Sequence, residues 1–365
     1  MRMEFSGFTF MVTEDCNFNC TYCYQIKGKK SIDPSTIENA LDFFFPLLTE
    51  ECYINFYGGE PLLAFDRVKQ AVSTIQEKNK RLKKNVQYSM TTNGSLINHE
   101  ILQFLNQNNF LLLLSFDGLA QDISKKGGSF DRIVSIIKET LNYSDIDLET
   151  NSVFTPVTVG YLSRSIQFIS ELGVPSIDLS LDKFSPWDSA SLRQLEKELR
   201  VLREFFLSYY EKTESIPLVD FRSKPKKDIF CCFAGKDRMA ITPDGELWGC
   251  CLFPDFFKGR EETADYKKYC FGGLESFVEN YEKVYPEILS NFSTLRTDHF
   301  FTQETSCILC DDLEECGVCP LDTVSSGSIT KKIPSWICEI KKIFRREKRL
   351  LWKELEEMPQ KQEKD

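Results

Sequence analysis

The sequence predicts an α/β protein built on a parallel sheet, either a partial β/α barrel or an open doubly wound sheet. A smaller cysteine-rich region and a C-terminal helix follow it. Three observations lead there. Six short strand-like runs alternate with amphipathic stretches between residue 5 and about residue 212. Ten of the fourteen cysteines then crowd between Cys231 and Cys338, where regular elements give way to turn-rich sequence. Finally, 365 residues with 42% hydrophobic content supply enough apolar surface for a large core and a smaller annex.

In order, the predicted strands are "FTFMVT" (8–13), "CYINFY" (52–57), "VQYSMTT" (86–92), "FLLLLSF" (110–116), "LETNSVF" (148–154) and "IDLSLD" (177–182). The predicted helices are Pro34–Leu48, Asp66–Lys80, Asn98–Gln107, Phe130–Tyr143, Tyr161–Leu172 and Ser189–Tyr210. Asp33 before Pro34 and Asn98 before His99 read as N-caps. Strand–helix alternation of this kind implies parallel pairing. The first domain is expected at 1–212, a charged, proline-bearing linker at 213–230, the cysteine-rich domain at 231–340, and a helix with a frayed tail at 341–365.

A net charge of −10 argues against nucleic acid as a general partner. The basic run "KKIFRREKR" (341–349) reads as a solvated helix face. No stretch of about 18 apolar residues predicts a membrane span. The opening "MRMEFSGFTFMVT" reads as a first strand and not as a signal peptide, so a cytoplasmic protein is expected. In a reducing compartment clustered cysteines bind metal or do chemistry. Histidine occurs only at 99 and 299, so any metal is expected on thiolates. Cys52, inside a strand, reads as a small core residue.

The chemistry concentrates in "CNFNCTYCY", where Cys16, Cys20 and Cys23 follow the first strand with C-x3-C-x2-C spacing. A cubane iron–sulfur cluster normally takes four thiolates, so three leave one iron open to substrate. A zinc loop borrowing a distant fourth cysteine is the alternative. Further motifs fall at the C-terminal ends of successive strands, the functional face of a β/α barrel. These are "YGGEP" with Gly58, Gly59 and Glu60, "TTNG" with Asn93, "SFDG" with Ser115 and Asp117, and Asn151. A Gly-Gly pair lets a ligand approach the backbone closely.

On these motifs the sequence resembles the radical S-adenosylmethionine (radical SAM) enzymes. The resemblance implies a partial (β/α)6 barrel whose [4Fe-4S] cluster on Cys16, Cys20 and Cys23 chelates SAM and cleaves it reductively to a 5′-deoxyadenosyl radical. It implies that Tyr22 lies against adenine, and that Gly59 and Glu60 lie nearest the methionyl amino group. Asn93, Ser115 and Asp117 match ribose- or carboxylate-contacting positions. Relatives carry a His and then an Arg after "S-x-D-G"; here Gln121 and Lys125 or Lys126 stand there, so Lys126 is the candidate for the SAM carboxylate. A lysine lacks the bidentate fork of arginine.

The cysteine-rich region resembles the SPASM extension of such enzymes, through "CFAG", the "PDG" turn and "CILCDDLEECGVCP". That resemblance implies two auxiliary [4Fe-4S] clusters, three clusters in all. Cys232, Cys250 and Cys319 would hold the first, with Cys231, Cys251 or Cys270 as its fourth ligand or an open position for substrate. Cys307, Cys310, Cys316 and Cys338 would hold the second. A zinc ribbon is the rival reading of the same spacing. The chain looks most like the peptide maturases, which abstract hydrogen from a ribosomally made peptide and form thioether or carbon–carbon cross-links, with flavodoxin or ferredoxin as reductant. The alternatives are an anaerobic sulfatase-maturing enzyme, a peptide epimerase, and a non-catalytic electron-transfer or zinc scaffold protein. Sulfatase-maturing relatives place an Asp after the "PDG…C" cysteine; Cys251 stands there.

Overall fold

The computed structural model describes residues 3–125, 128–226, 232–295, 307–326, 329 and 333–358. Six strands follow one another in the first half: β1 (Phe5–Thr13), β2 (Leu48–Gly58), β3 (Asn85–Thr92), β4 (Phe110–Ser115), β5 (Asp147–Phe154) and β6 (Ser176–Leu181). Each pairs in parallel with the next. Between them run α1 (Pro34–Phe44), α2 (Phe65–Leu82), α3 (His99–Gln107), α4 (Phe130–Thr140) and α5 (Leu162–Glu171), and α6 (Ser189–Thr213) follows β6. All twelve elements coincide with the predicted runs to within a few residues.

Alternation along the strands explains the layering. One face of the sheet is apolar: Phe10, Phe56 and Phe110 are fully buried, with ring centroids 6.1 and 6.0 Å apart. The opposite face carries Asn55, Ser89, Glu149 and Asp178. There Ser89 Oγ donates to Asn55 Oδ1 (3.0 Å) and Ser176 Oγ to Glu149 Oε2 (2.6 Å). An apolar outside and a polar inside suit a curved sheet that wraps a wet interior.

Three features differ from the sequence expectation. First, the cysteine-rich region, expected to be built of turns, contributes strands to the main sheet. Its strands β7 (Arg238–Ile241), β8 (Glu246–Trp248) and β9 (Cys270–Gly273) extend the same one, in the order β6-β5-β4-β3-β2-β1-β7-β8-β9. β7 satisfies the free edge of β1 in parallel, and β8 and β9 continue antiparallel. The "PDG" turn closes the β7–β8 hairpin, with Gly245 at φ +80°.

Second, the expected linker is packed onto the body over its described residues. Ile177 N–H donates to Pro217 O (2.9 Å), Leu218 bridges β6, and Phe221 is fully buried. Its apolar residues are hidden among charges, and they cover the open edge of β6. Third, Asp33 occupies the N-cap of α1 without a capping side-chain bond, whereas Asn98 does accept Ile101 N–H (2.9 Å).

Helix α7 (Leu274–Ser293) and the last helix, α8 (Ser335–Glu357), complete the body. α8 starts before Cys338 and packs along α6, where Arg203 meets the buried Glu347 (3.1 Å). Trp352 Nε1 donates to Phe221 O (3.0 Å). Its basic run faces acids of the body: Arg346 pairs with Glu196 (3.0 Å), and Arg349 with Asp312 (2.7 Å) and Glu315 (2.8 Å). Among the described residues no helix is long and apolar enough to cross a membrane. Cys52 is 2% exposed within the main core.

Candidate active site

The loop from β1 to α1 carries Cys16, Cys20 and Cys23, and backbone bonds hold it to its neighbours. Glu14 N–H donates to Lys30 O (2.9 Å), which closes the loop base, and Thr21 N–H donates to Ser124 O (2.8 Å), which ties its tip to the β4 side. Gly59 N–H reaches Thr13 O (2.8 Å) and Glu60 N–H reaches Asp15 O (2.7 Å). The end of β2 therefore runs directly against the Cys loop. A Cβ on Gly58, at φ +131°, would lie 2.3 Å from Thr13 O, and one on Gly59 2.2 Å from Asp15 O. The Gly-Gly pair is thus demanded first by the approach of the cysteine loop itself.

Glu60, expected beside the cofactor, is fully buried instead. Its Oε1 accepts Thr92 Oγ1–H (2.6 Å) and Leu62 N–H (3.0 Å), and its Oε2 accepts Asn93 N–H (2.7 Å). Burial pushes its carboxyl up, and those three donors pull it back. It locks the end of β2 to the end of β3 and so aims Asn93. Asn93 Nδ2 in turn bonds Asn17 Oδ1 (2.9 Å) and lies 3.9 Å from Cys16 Sγ.

Asp117 is likewise fully buried, behind the cysteine loop. It accepts Tyr22 O–H (3.0 Å) and Val153 N–H (2.9 Å), and it faces Lys125 Nζ at 3.4 Å. Lys125 is 2% exposed and also donates to Gln121 Oε1 (3.2 Å). Burial, and then the Asp117 charge, push the Tyr22 phenol well above its usual range. Cys16 is pushed up by burial, and so is Cys20, to about 11, with Lys125 opposing. Lys126 lies outside the described residues. Its neighbour Lys125 lines the cleft.

A cleft of about 390 Å³ gathers these groups at the C-terminal ends of the strands. Cys16, Cys20, Tyr22, Cys23, Gly58, Gly59, Asn93, Ser115 and Asn151 all line it, whereas Glu60 and Asp117 stand behind its wall. Asn151 Oδ1 is buried without a partner, the one such acceptor on this cleft among the described residues. An orphaned acceptor of this kind asks for a hydroxyl or ammonium donor from a ligand. Three thiols on one cleft, a buried ammonium and that acceptor are the chemistry that a thiolate-held cluster and a polar, charged cofactor use.

Sequence reasoning did not single out the far wall. Tyr24 stacks on Phe184 (5.4 Å between centroids) and shares a 2.6 Å hydroxyl contact with Tyr57. Lys183 and Phe184 follow β6, and Leu252, Phe256, Cys319 and Leu321 come from the cysteine-rich region. The signal available was position: "DKF" directly follows the sixth strand, where barrel sites gather.

The auxiliary thiols fall into two places. Cys307, Cys310, Cys316 and Cys338 line one cavity of about 430 Å³. Burial and then the other three thiols push Cys338 up. Cys319 borders the main cleft and is pushed up to about 11, chiefly by burial. The segments carrying Cys232 and Cys250 are joined by Gly235 N–H to Gly249 O (3.2 Å). Cys250 and Cys251 are adjacent thiols whose mutual interaction pushes the first up and the second down. Cys270 Sγ is engaged by Gly272 N–H (3.3 Å) within its own strand. Cys231 lies outside the described residues.

Residues 10–169 match the model described as the radical SAM superfamily, and the chain carries that domain. It is 28% identical over 246 residues, 66% of this chain and 82% of that one, to an uncharacterized protein of Methanocaldococcus jannaschii. To a cysteine-type anaerobic sulfatase-maturating enzyme of Clostridium novyi it is 29% identical over 175 residues, 44% of this chain and 46% of that protein. A radical SAM cyclopropyl synthase, TigE of Paramaledivibacter caminithermalis, is 24% identical over 361 residues, 90% of this chain and 69% of that protein. Among solved structures, native anSMEcpe with bound AdoMet and the Cp18Cys peptide superposes with a TM-score of 0.75 at 17% identity, covering 98% of this chain and all of that one.

Proposed function

We propose that this protein is a radical SAM peptide maturase, which removes hydrogen from a ribosomally made peptide and closes a thioether or carbon–carbon cross-link. One observation carries the reading: a single cleft is lined by Cys16, Cys20 and Cys23 and also by Cys319 of the cysteine-rich region. A substrate held there shares the cleft with thiols of both parts of the chain. The similarity to proteins named for peptide-bound and cyclopropyl-forming enzymes supports it.

Cys16, Cys20 and Cys23 would hold a [4Fe-4S] cluster, and Lys125, Asn93, Ser115 and Asn151 would receive SAM. When bound, the two supply hydrogen-atom abstraction. The chain's own residues supply placement and dryness. Gly58 and Gly59 let β2 brace the cysteine loop, Glu60 aims Asn93, and Asp117 fixes Tyr22. The apolar wall of Phe18, Tyr24, Phe184, Leu252 and Phe256 keeps water from the reacting carbon and accepts a peptide side chain. Cys232, Cys250 and Cys319, and separately Cys307, Cys310, Cys316 and Cys338, would hold two auxiliary clusters, thiolate sets that suit one-electron carriers. Flavodoxin or ferredoxin fits as reductant, and a cytoplasmic setting fits a chain whose clustered thiols would hold iron–sulfur clusters.

The test is anaerobic. Reconstituted protein with reductant and SAM is expected to release 5′-deoxyadenosine, and the Cys16/Cys20/Cys23→Ala variant is not. A candidate peptide co-expressed with the protein is expected to lose two hydrogens per cross-link by intact mass. Deoxyadenosine from the triple variant would refute the assignment of the three thiols. Deuterium uptake from solvent without a mass loss in ordinary water would replace cross-linking by epimerisation.

A further inference from the structure

Asp322 is fully buried, yet it is an ionised side chain set among three segments far apart in sequence. Lys183 Nζ, from the loop after β6, lies 2.8 Å from Oδ1. Lys341 Nζ, from α8, lies 3.0 Å from Oδ2 and also donates to Gly317 O at 2.6 Å. Between those two contacts sits Cys319. Its N–H donates to Asp322 Oδ2 (3.0 Å), while its carbonyl accepts Asp322 N–H (2.8 Å). Cys319 is therefore bracketed from both sides of its own peptide unit by one carboxylate residue. That carboxylate is anchored to the barrel through Lys183 and to the last helix through Lys341.

A buried carboxylate is retained only where its charge is met, since an unpaired one is strongly disfavoured. A fold clamp alone would be served as well by packed apolar residues. What an ion triad adds is a fixed position and a fixed local field. Lys183 also lines the cleft, beside Phe184 and Asp182, so one residue borders the cleft and pairs with the carboxylate that holds the Cys319 turn.

We propose that Asp322 is the positioning residue for Cys319, gripped between Lys183 and Lys341, so that this triad sets where the Cys319 thiolate stands relative to the cleft and what field it feels. The inference rests on the reading of Cys319 as a ligand of an auxiliary cluster. The local field then acts on any group bound there: removing the carboxylate makes reduction easier, and removing the ammonium makes it harder.

The test uses the full chain in the Cys16/Cys20/Cys23→Ala background, where only auxiliary iron remains. Iron per chain, the electron paramagnetic resonance spectrum and the midpoint potential are measured after anaerobic reconstitution. Asp322→Asn keeps an oxygen for the Cys319 N–H and is expected to raise the potential. Lys183→Met is expected to lower it, and Lys183→Arg to restore it. Asp322→Ala is expected to lose about four irons per chain, one cubane. Opposite shifts are a signature that a merely structural clamp would not give. Should Asp322→Asn fail to fold, Lys183→Met, altered at a half-exposed side chain, still decides. Unchanged potentials and spectra in the Asp322 and Lys183 variants would overturn the proposal. Cys319→Ser separates the two claims: if it retains all iron with an unaltered spectrum, the ligand reading fails; if it loses iron while Asp322→Ala and Lys183→Met change nothing, the triad alone fails.

Discussion

Replacing Gly59 by alanine tests how the cysteine loop is held. The added Cβ would stand 2.2 Å from Asp15 O, 2.7 Å from Asp15 C and 2.8 Å from Glu14 O, all backbone atoms of the loop bearing Cys16. Ordinary contacts begin near ~3.5 Å, so the two chains must part by about 1 Å. That parting strains or breaks Gly59 N–H to Thr13 O (2.8 Å) and Glu60 N–H to Asp15 O (2.7 Å). Each such bond contributes about 1 kcal/mol, and overpacking adds about 1–3 kcal/mol. The expected loss is about 3–5 kcal/mol, a large fraction of the roughly 5–15 kcal/mol of an ordinary domain. Urea unfolding of the apo chain measures it, and iron uptake reports the loop. Gly273→Ala, with nothing within 4 Å of its new Cβ and an ordinary φ of −70°, is the control and is expected to change little. Wild-type stability and full iron uptake in Gly59→Ala would refute the steric argument.

Three further outcomes are expected. Asn151→Ala removes the orphaned acceptor on the cleft and is expected to weaken SAM binding about tenfold by calorimetry, a loss of about 1.4 kcal/mol. Thr150→Ala, buried on the opposite face of β5, is expected to leave that affinity unchanged. Lys125→Met strips a 2% exposed ammonium from Asp117 and is expected to cost about 3 kcal/mol in urea unfolding, because a buried carboxylate loses its cation. Lys125→Arg is not expected to restore it, the planar guanidinium being too broad for the slot. Burial raises Asp255 from the ordinary 3.8 to about 6. A raised acid binds its proton more tightly when folded, so it costs stability as pH rises from about 4 through about 6, up to about 3 kcal/mol. Unfolding of the apo chain between pH 4 and 7 is expected to show that decline, and Asp255→Asn to reduce it, Asp178 being raised to about 6 as well.

The first half of this protein was legible because its signals are local. Strand and helix periods, and turns such as "YGGEP", arise from neighbours in sequence, and they placed β1–β6, α1–α6 and the C-terminal face correctly. Cys16, Cys20 and Cys23 were visible for the same reason, since their spacing lies within one loop. Long-range pairing left no such mark. Nothing in "RMAI" announces that β7 completes the free edge of β1, because any short apolar strand could do so. The apolar residues of 216–221 are too few and too scattered to show a period, and they acquire meaning only against the edge of β6.

The roles of the acids divided the same way. Motif position put Glu60 and Asp117 at the site, but burial decides whether a carboxylate faces a ligand or braces the residues that do. Backbone and hydroxyl donors meet Glu60, and Asp117 is met by such donors together with Lys125. Lys125 is one of two adjacent, chemically identical lysines in the sequence, and only the fold shows that it is buried against Asp117. Cys319 and Lys183 are 136 positions apart, and Asp322 joins them. Sequence by itself therefore determined which chemistry the chain can hold, because ligand spacing is local. Only the tertiary structure decided which groups face the cleft, because burial and charge pairing depend on residues that meet across the fold.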